Sequence, residues 1–188
     1  MSADVSVEMR GAAFLSFFEG IAELRDPGTA TAVRDALPSP LREQIATGGI
    51  TRIGWYPMQN YSALHEACDR VIGGGDAFAT ALGRVTTDRD TRGLLRYVLA
   101  FTSPDLLLRY GDKVFGSYVR GATMRVDRIT AKHHVIRWDD FHGASFRVHA
   151  EWQGGVAFLV ERCGGRDVSV RAEPSDDPSR ARFEVRWS

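Results

Sequence analysis

The hydrophobic and polar positions near the end of the chain alternate, and this alternation predicts strands. Residues 181–187 carry apolar side chains at every second position, with arginine and glutamate between them. The segments 124–129 and 133–138 alternate around a short turn, and 168–172 does so one loop before the end. A period of two is typical of a strand with one buried face. The pattern therefore predicts four strands in the last third of the chain.

Apolar residues recur at helical spacing over most of the first 120 residues and once more between the two pairs of strands. A short alternating run at 5–9 predicts a strand or extended arm before the first helix. The longest expected helix, 104–120, begins at the Ser103-Pro104 cap and ends at Gly121. The expected helices are 14–24, 29–37, 40–46, 61–72, 77–85, 94–101, 104–120 and, between the strand pairs, 152–163.

These elements predict an α+β fold in which a helical N-terminal part packs on a small antiparallel four-stranded sheet. The order of the C-terminal elements is ββαββ. We expect a single domain over 1–188, with a mainly helical part at 1–121 and the ββαββ part at 122–188. No proline- or serine-rich linker separates the two parts, which favours one continuous domain.

Acidic and basic residues are equal in number, and this bears on whether the chain binds nucleic acid. Lysine plus arginine and aspartate plus glutamate both number 24, so the formal net charge is zero. Nucleic-acid binding depends on neutralising phosphates, and we do not expect it here. No apolar run approaches the roughly 20 residues that cross a bilayer, and the first residues do not resemble a signal peptide. We therefore expect a cytoplasmic protein, in which Cys68 and Cys163 are reduced and buried.

No recognised catalytic motif and no pair of residues at metal-ligand spacing is present, so neither an active site nor a metal site is predicted. The segment Asp139-Asp140-Phe141-His142 brings two carboxylates and an imidazole close together. Such groups can serve as general acid and base, but they are also ordinary turn residues. A small enzyme using Asp139, Asp140 and His142 is therefore kept only as an alternative.

Aromatic side chains supply the candidates for a ligand pocket. Trp55 and Tyr56 precede a proline between two expected helices, and Tyr110 and Tyr118 lie on the apolar stripe of the longest helix. Rings with a polar tip favour the rims of ligand pockets and protein contacts. We predict that these four residues line a pocket, with core packing as the alternative.

Several of these features together resemble a known family. They are the aromatic-proline segment 55–61, the Ser103-Pro104 helix, the glycines at 154–155 and 164–165, and the terminal 183–187. The chain resembles an uncharacterised paralogous family of myxobacteria. Its layout is similar to that of heme nitric-oxide-binding and 4-vinyl-reductase-like domains. The resemblance implies a module that binds a ligand or a partner rather than an enzyme.

The heme branch of that group pairs a helical histidine with a tyrosine-x-serine-x-arginine clasp for the propionates, and the chain has no such clasp. We therefore expect no cofactor and disfavour heme. The predicted function is a non-catalytic sensory or adaptor domain in bacterial signalling that binds a small apolar ligand or a protein partner, with a homodimer as one option. The other alternative is a heme-binding gas sensor with a nonstandard histidine ligand.

Overall fold

The fold was analysed in a computed structural model that describes residues 6–92 and 99–188. Most of the expected helix at 94–101, and the start of the alternating run at residue 5, lie outside the described residues. The helices are α1 (Gly11–Leu24), α2 (Pro27–Asp35), α3 (Ser39–Ala46), α4 (Met58–Val71), α5 (Gly75–Asp90), α6 (Pro104–Arg109), α7 (Gly111–Tyr118) and α8 (Phe146–Arg162). The strands are β1 (Glu8–Arg10), β2 (Trp55–Pro57), β3 (Val119–Arg120), β4 (Thr123–Thr130), β5 (His133–Asp139), β6 (Ser169–Ala172) and β7 (Ala181–Arg186).

The predicted α+β class and four-stranded sheet are confirmed. Strands β4, β5, β7 and β6 lie side by side in that order, and all neighbours are antiparallel. The alternation of β7 has the predicted effect, because Phe183 and Val185 are buried. They stand opposite Ile136 and His134 of β5, which are also buried.

An aromatic cluster joins this sheet to the helices. Trp138 of β5 is 1% exposed, and its ring contacts Trp152 of α8, Phe115 of α7 and Phe183 of β7. Centroid separations of 4.8–5.6 Å are in the range in which aromatic rings attract one another. The cluster therefore anchors α7 and α8 on the same face of the sheet.

Helix α5 from the N-terminal part and helix α8 from the C-terminal part cross at a pair of glycines. A Cβ atom added at Gly83 would stand 1.8 Å from the carbonyl oxygen of Glu151, and one at Gly154 would stand 1.9 Å from that of Thr80. Only glycine fits at such distances. The two backbones approach so closely because both positions lack a side chain.

A second, three-stranded sheet was not predicted. Strand β1 lies between β2 and β3 and is antiparallel to both. No strand was expected at residues 55–57, which lie between two expected helices, and β2 corrects this. Strand β1 overlaps the strand or extended arm expected at 5–9. Strands β2 and β3 have only three and two residues, which is too short to show a period of two.

The expected long helix at 104–120 is also corrected. The backbone of Tyr110 departs from helical geometry, with φ −103° and ψ 13°, and α7 begins at Gly111. A Cβ atom on Gly111 would lie 3.1 Å from Met124 and 3.3 Å from Val126, so the break lets α7 lie close to β4. Helix α5 is longer than the expected 77–85, because its polar end continues as helix to Asp90. No helix in the described parts of the chain is long and apolar enough to span a bilayer.

Candidate functional site

A cavity of about 350 Å³ lies between the helical part and the ββαββ part. Its size is within the range of about 300–1,000 Å³ that small-molecule and cofactor sites occupy. Helices α1, α5, α6, α7 and α8 form most of its wall, with one residue each from β1 and α4. The lining residues are Met9, Ala13, Ser16, Tyr61, Gly83, Thr86, Thr87, Asp90, Thr91, Leu99, Thr102, Leu106, Leu107, Tyr110, Val114, Tyr118, Glu151, Trp152, Gly155, Val156 and Leu159.

The break between α6 and α7 places apolar side chains both in the cavity wall and at the surface. Leu106, Tyr110 and Val114 line the cavity, yet they are 41%, 51% and 39% exposed. Exposed apolar side chains grouped at a concave site are typical of a binding site. The cavity thus opens to solvent beside Tyr110.

At the inner side of the cavity, the buried carboxylate of Glu151 is fully hydrogen-bonded. The Tyr61 hydroxyl lies 2.9 Å from both carboxylate oxygens, and Nε2 of His65 lies 2.9 Å from Oε2. The Thr86 hydroxyl adds a longer contact of 3.5 Å. Burial and the adjacent carboxylate raise the pKa of Tyr61 well above its usual value. These groups come from three helices, so their only sign in the sequence is an acid on an otherwise apolar helix face.

A second carboxylate, that of Asp90, lies at the C-terminal end of α5. Its Oδ1 accepts a hydrogen bond from the Ser16 hydroxyl at 2.5 Å, and its Oδ2 accepts one from the Tyr118 hydroxyl at 3.1 Å. Burial raises the pKa of Asp90, although both hydrogen bonds act in the opposite direction. Burial, followed by the charge of Asp90, raises the pKa of Tyr118. Asp90 falls in the sequence between the expected helices 77–85 and 94–101.

Apart from these two acids, no charged side chain belongs to the described lining, and neither does a histidine. Within the described ranges, no group of three or more histidine, cysteine or acidic side chains is placed to hold a metal ion. His65 faces Glu151, His134 pairs with Asp105 at 3.0 Å, and His149 is buried among aromatic rings. The described lining therefore contains no histidine that could serve as a nonstandard heme ligand.

The four pocket candidates from the sequence fall into two groups. Tyr110 and Tyr118 line the cavity, whereas Trp55 and Tyr56 lie outside its wall. Trp55 packs against guanidinium groups, with Arg120 at 3.9 Å from its ring centroid. The Tyr56 hydroxyl donates a hydrogen bond to the carbonyl of Gly49 at 2.9 Å. Trp55 therefore packs within the three-stranded sheet, whereas the Tyr56 hydroxyl holds the loop that precedes β2.

The three side chains considered as a candidate acid-base site at the end of β5, Asp139, Asp140 and His142, do not contact one another as a catalytic group would. Asp139 ends the strand, Asp140 adopts a left-handed conformation with φ 60°, and Asp140 and His142 are exposed. Among the described residues, no hydrogen bond or ion pair links the side chains of Asp139, Asp140 and His142. Their arrangement is that of a turn between β5 and α8, and none of them lines the cavity.

Comparison with known proteins adds a fold assignment. No family model and no curated protein sequence matches the chain. The Fe(II) unliganded H-NOX protein from K. algicida is similar in structure, with a TM-score of 0.72 and 14% identity over 96% of this chain and 97% of that one. An oxygen-binding H-NOX domain related to soluble guanylate cyclases has a TM-score of 0.64 and 13% identity over 95% of this chain and 93% of that one. A third structure, described by the modulation of heme redox potential through protein-induced porphyrin distortion, has a TM-score of 0.67 and 11% identity. That match covers 96% of this chain and 95% of the other.

These likenesses show that the chain has the fold of heme nitric oxide/oxygen binding domains. The resemblance to that group is confirmed at the level of fold, and no comparison supports the myxobacterial family or the 4-vinyl-reductase-like domains. One expectation is corrected: the prediction of no cofactor, with heme disfavoured, is contradicted by neighbours of the same fold that are heme proteins. The absence of the propionate clasp from the sequence therefore does not exclude heme.

Proposed function

We propose that this chain is a sensory domain that holds a heme in the cavity between its helical part and its sheet. The cavity carries the proposal, because it separates the two parts of a fold shared with heme proteins over nearly the whole chain. Bound heme would supply an iron atom to which a diatomic gas can coordinate. The chain's own residues would set the position, polarity and access of that site.

The residues of the cavity fit such a group in three respects. First, Leu107, Val156 and Leu159 provide the apolar surface that a porphyrin face requires. Second, the opening beside Tyr110 allows charged propionates to remain in water. The ammonium of Lys113, which lies 5.1 Å from the Tyr110 ring centroid at this opening, would pair with a propionate. Third, tyrosine is one of the side chains that hold heme iron in proteins, so the absence of histidine from the described lining does not exclude ligation.

The two acids would act on the polarity of the cavity. Each carboxylate already accepts hydrogen bonds from hydroxyl groups, Glu151 from Tyr61 and Asp90 from Ser16 and Tyr118. In an apolar cavity, such satisfied groups stay fixed and leave the remaining volume free for an apolar ligand. We therefore expect them to shape the site rather than to ligate.

The location of the site is tested by filling the cavity. Val156 lines it and lies on α8, so we expect Val156→Trp to weaken hemin binding by about tenfold or more. Binding is measured from the Soret absorption of hemin titrated with the purified chain. Val71→Trp is the matched control, because Val71 is 39% exposed at the end of α4 and does not line this cavity.

The control variant should bind hemin as the unchanged chain does. Equal affinity in Val156→Trp, with the fold intact by circular dichroism, would place the heme elsewhere and overturn the proposed site.

A second candidate, a sensor of a small apolar ligand other than heme, is favoured by one observation. Both charged side chains of the described lining are acids, Asp90 and Glu151, and they repel the propionates of a heme. The same titration separates the two functions when a fluorescent apolar dye is added in parallel. Dye binding that Val156→Trp abolishes, without any hemin binding, supports the second candidate. The protein partner, the homodimer and the role in bacterial signalling stay predictions.

A further inference from the structure

Two carboxylates face the cavity, and no lysine or arginine of the described ranges forms an ion pair with either of them. The half-buried Asp90 accepts hydrogen bonds from the hydroxyl groups of Ser16 at 2.5 Å and Tyr118 at 3.1 Å. The buried Glu151 meets a hydroxyl group and the imidazole of His65, each at 2.9 Å. A charge that is removed from water is normally paired with an opposite charge. The described wall of the cavity therefore carries negative charge that it does not itself compensate.

The position of Asp90 adds to this negative charge, because it is the last residue of the 16-residue helix α5. The C-terminal end of a helix carries partial negative charge and favours cations. Arg89, the basic residue of the last turn, donates instead to Glu19 at 2.7 Å and does not line the cavity. Arg52 acts on the pKa of Asp90 through space, but its guanidinium also pairs with Glu19, at 3.3 Å. A cationic ligand would therefore be attracted to this end of α5.

Hydrogen-bond acceptors for such a cation lie at the same place. A carboxylate has about four lone-pair positions, and Asp90 uses two of them for Ser16 and Tyr118. The Thr91 hydroxyl group lines the cavity and donates its proton to the carbonyl of Thr87 at 2.8 Å, so its oxygen remains an acceptor. An ammonium group has only donors, and it therefore matches these atoms.

The rest of the wall suits the apolar body of the ligand. Leu107, Val156 and Leu159 bring aliphatic surface, and Tyr110 and Trp152 bring aromatic rings. An aromatic face attracts a cation as well as apolar carbon. A ligand with a carboxylate meets the opposite situation, because the two acids of the lining repel it.

We infer that the cavity binds an apolar primary amine whose ammonium group pairs with Asp90, an assignment that rests on the second candidate function, an apolar ligand other than heme. Binding is non-covalent. The ammonium group donates hydrogen bonds to Asp90 and Thr91, and the hydrocarbon part lies against α6 and α8. The two charges compensate each other, so neither is removed from water alone.

The test is a calorimetric titration of the purified full chain, free of hemin, with ligands of equal chain length. The ligands are n-octylamine, n-octanol and n-octanoate. We expect octylamine to bind about tenfold or more tightly than octanol, because a hydrogen bond to a charged group is stronger than one between neutral groups. Octanoate should bind more weakly than octanol.

Three variants locate the amine. Asp90→Asn keeps the size of the side chain but removes its charge, and it should reduce the preference for the amine over the alcohol to about twofold or less. Asp112→Asn is the matched control, since Asp112 is exposed on α7 and does not line the cavity, and it should keep the full preference. Val156→Trp fills the cavity and should abolish octylamine binding while circular dichroism shows an intact fold.

The inference is overturned if octanol or octanoate binds as tightly as octylamine, or if Asp90→Asn keeps the preference. Octylamine binding that survives in Val156→Trp overturns it too. If Asp90→Asn does not fold, the order of the three ligands in the unchanged chain decides.

A parallel titration with hemin separates the amine from the heme. Octylamine binding without a shifted Soret band supports the amine and overturns the proposed heme function. A shifted Soret band without octylamine binding overturns the amine and leaves the heme function intact. Failure of both ligands to bind overturns both assignments.

Discussion

At the scale of the residue, the most consequential side chain is Glu151, a buried acid that joins three helices. Removing it would leave the partner groups Tyr61 and His65 buried without their acceptor. We expect Glu151→Ala to lower the free energy of unfolding by about 3–5 kcal/mol, the usual cost of breaking a buried ionic group. Chemical denaturation followed by circular dichroism measures this change.

The matched control lies ten residues further along the same helix. Glu161 pairs with Arg84, and both side chains are 40% exposed. Glu161→Ala should cost less than about 1 kcal/mol, because exposed ion pairs contribute little. Similar losses in the two variants would contradict the structural role of Glu151.

A second residue-scale prediction concerns His149, which is buried against Trp138 and Phe141. Burial lowers its pKa to about 4 from a usual value near 6.5. Between pH 6.5 and pH 4 the unfolded chain protonates this imidazole and the folded chain does not, so the free energy of unfolding decreases as the pH falls. From pH 7 to pH 5 this residue should remove about 2 kcal/mol from the free energy of unfolding.

Denaturation of His149→Phe at the two pH values measures that contribution. Between pH 7 and pH 5, we expect the free energy of unfolding of His149→Phe to fall by about 2 kcal/mol less than that of the unchanged chain. His142→Phe, at an exposed turn position, should behave like the unchanged chain. An identical pH response in all three proteins would refute the role of His149.

Single residues also mark the limit of sequence reasoning about the site. Tyr110 and Tyr118 were chosen because large rings with a polar tip stand on an apolar stripe, and both line the cavity. Trp55 and Tyr56 were chosen as rings beside a proline, but Trp55 packs against arginines of the three-stranded sheet and Tyr56 bonds to the loop before β2. Asp90 and Glu151 were not among the candidates, since their partners are 28 to 90 positions away along the chain. Composition and spacing do not reveal contacts of that range.

At the scale of the element, the crossing of α5 and α8 determines how the two parts of the chain meet. Gly83→Ala and Gly154→Ala would each force a methyl group into a backbone carbonyl less than 2 Å away. We expect each to lower the free energy of unfolding by about 3 kcal/mol or more, because the helices must separate. Thermal and chemical denaturation check both variants.

Gly116 on α7 provides the opposite case within the same fold. A Cβ atom there meets no atom within 4 Å, so Gly116→Ala should stabilise the chain by about 0.5–1 kcal/mol through helix propensity. Equal effects at all three glycines would show that the crossing is not as close as described.

Elements were predictable where they are long and periodic. The strands β4, β5 and β7 and most helices follow from their patterns, although α8 begins six residues before the expected 152 and α5 ends five residues after the expected 85. Helix 104–120 was predicted as continuous, because the apolar stripe runs through Gly111 without interruption. Its break depends on the approach of α7 to β4, which is a tertiary contact.

At the scale of the whole molecule, the arrangement of the two parts persists although few residues are shared with proteins of the same fold. Identities of 11–14% accompany TM-scores of 0.64–0.72 in the compared structures. A fold defined by apolar periodicity and close helix crossings tolerates this divergence, because volume and pattern matter more than identity.

The most direct measurement of the central claim is an absorption titration of the unchanged, purified chain with hemin. We predict a shifted Soret band that grows to saturation at one hemin per chain. A spectrum that remains that of free hemin at every ratio would contradict the account.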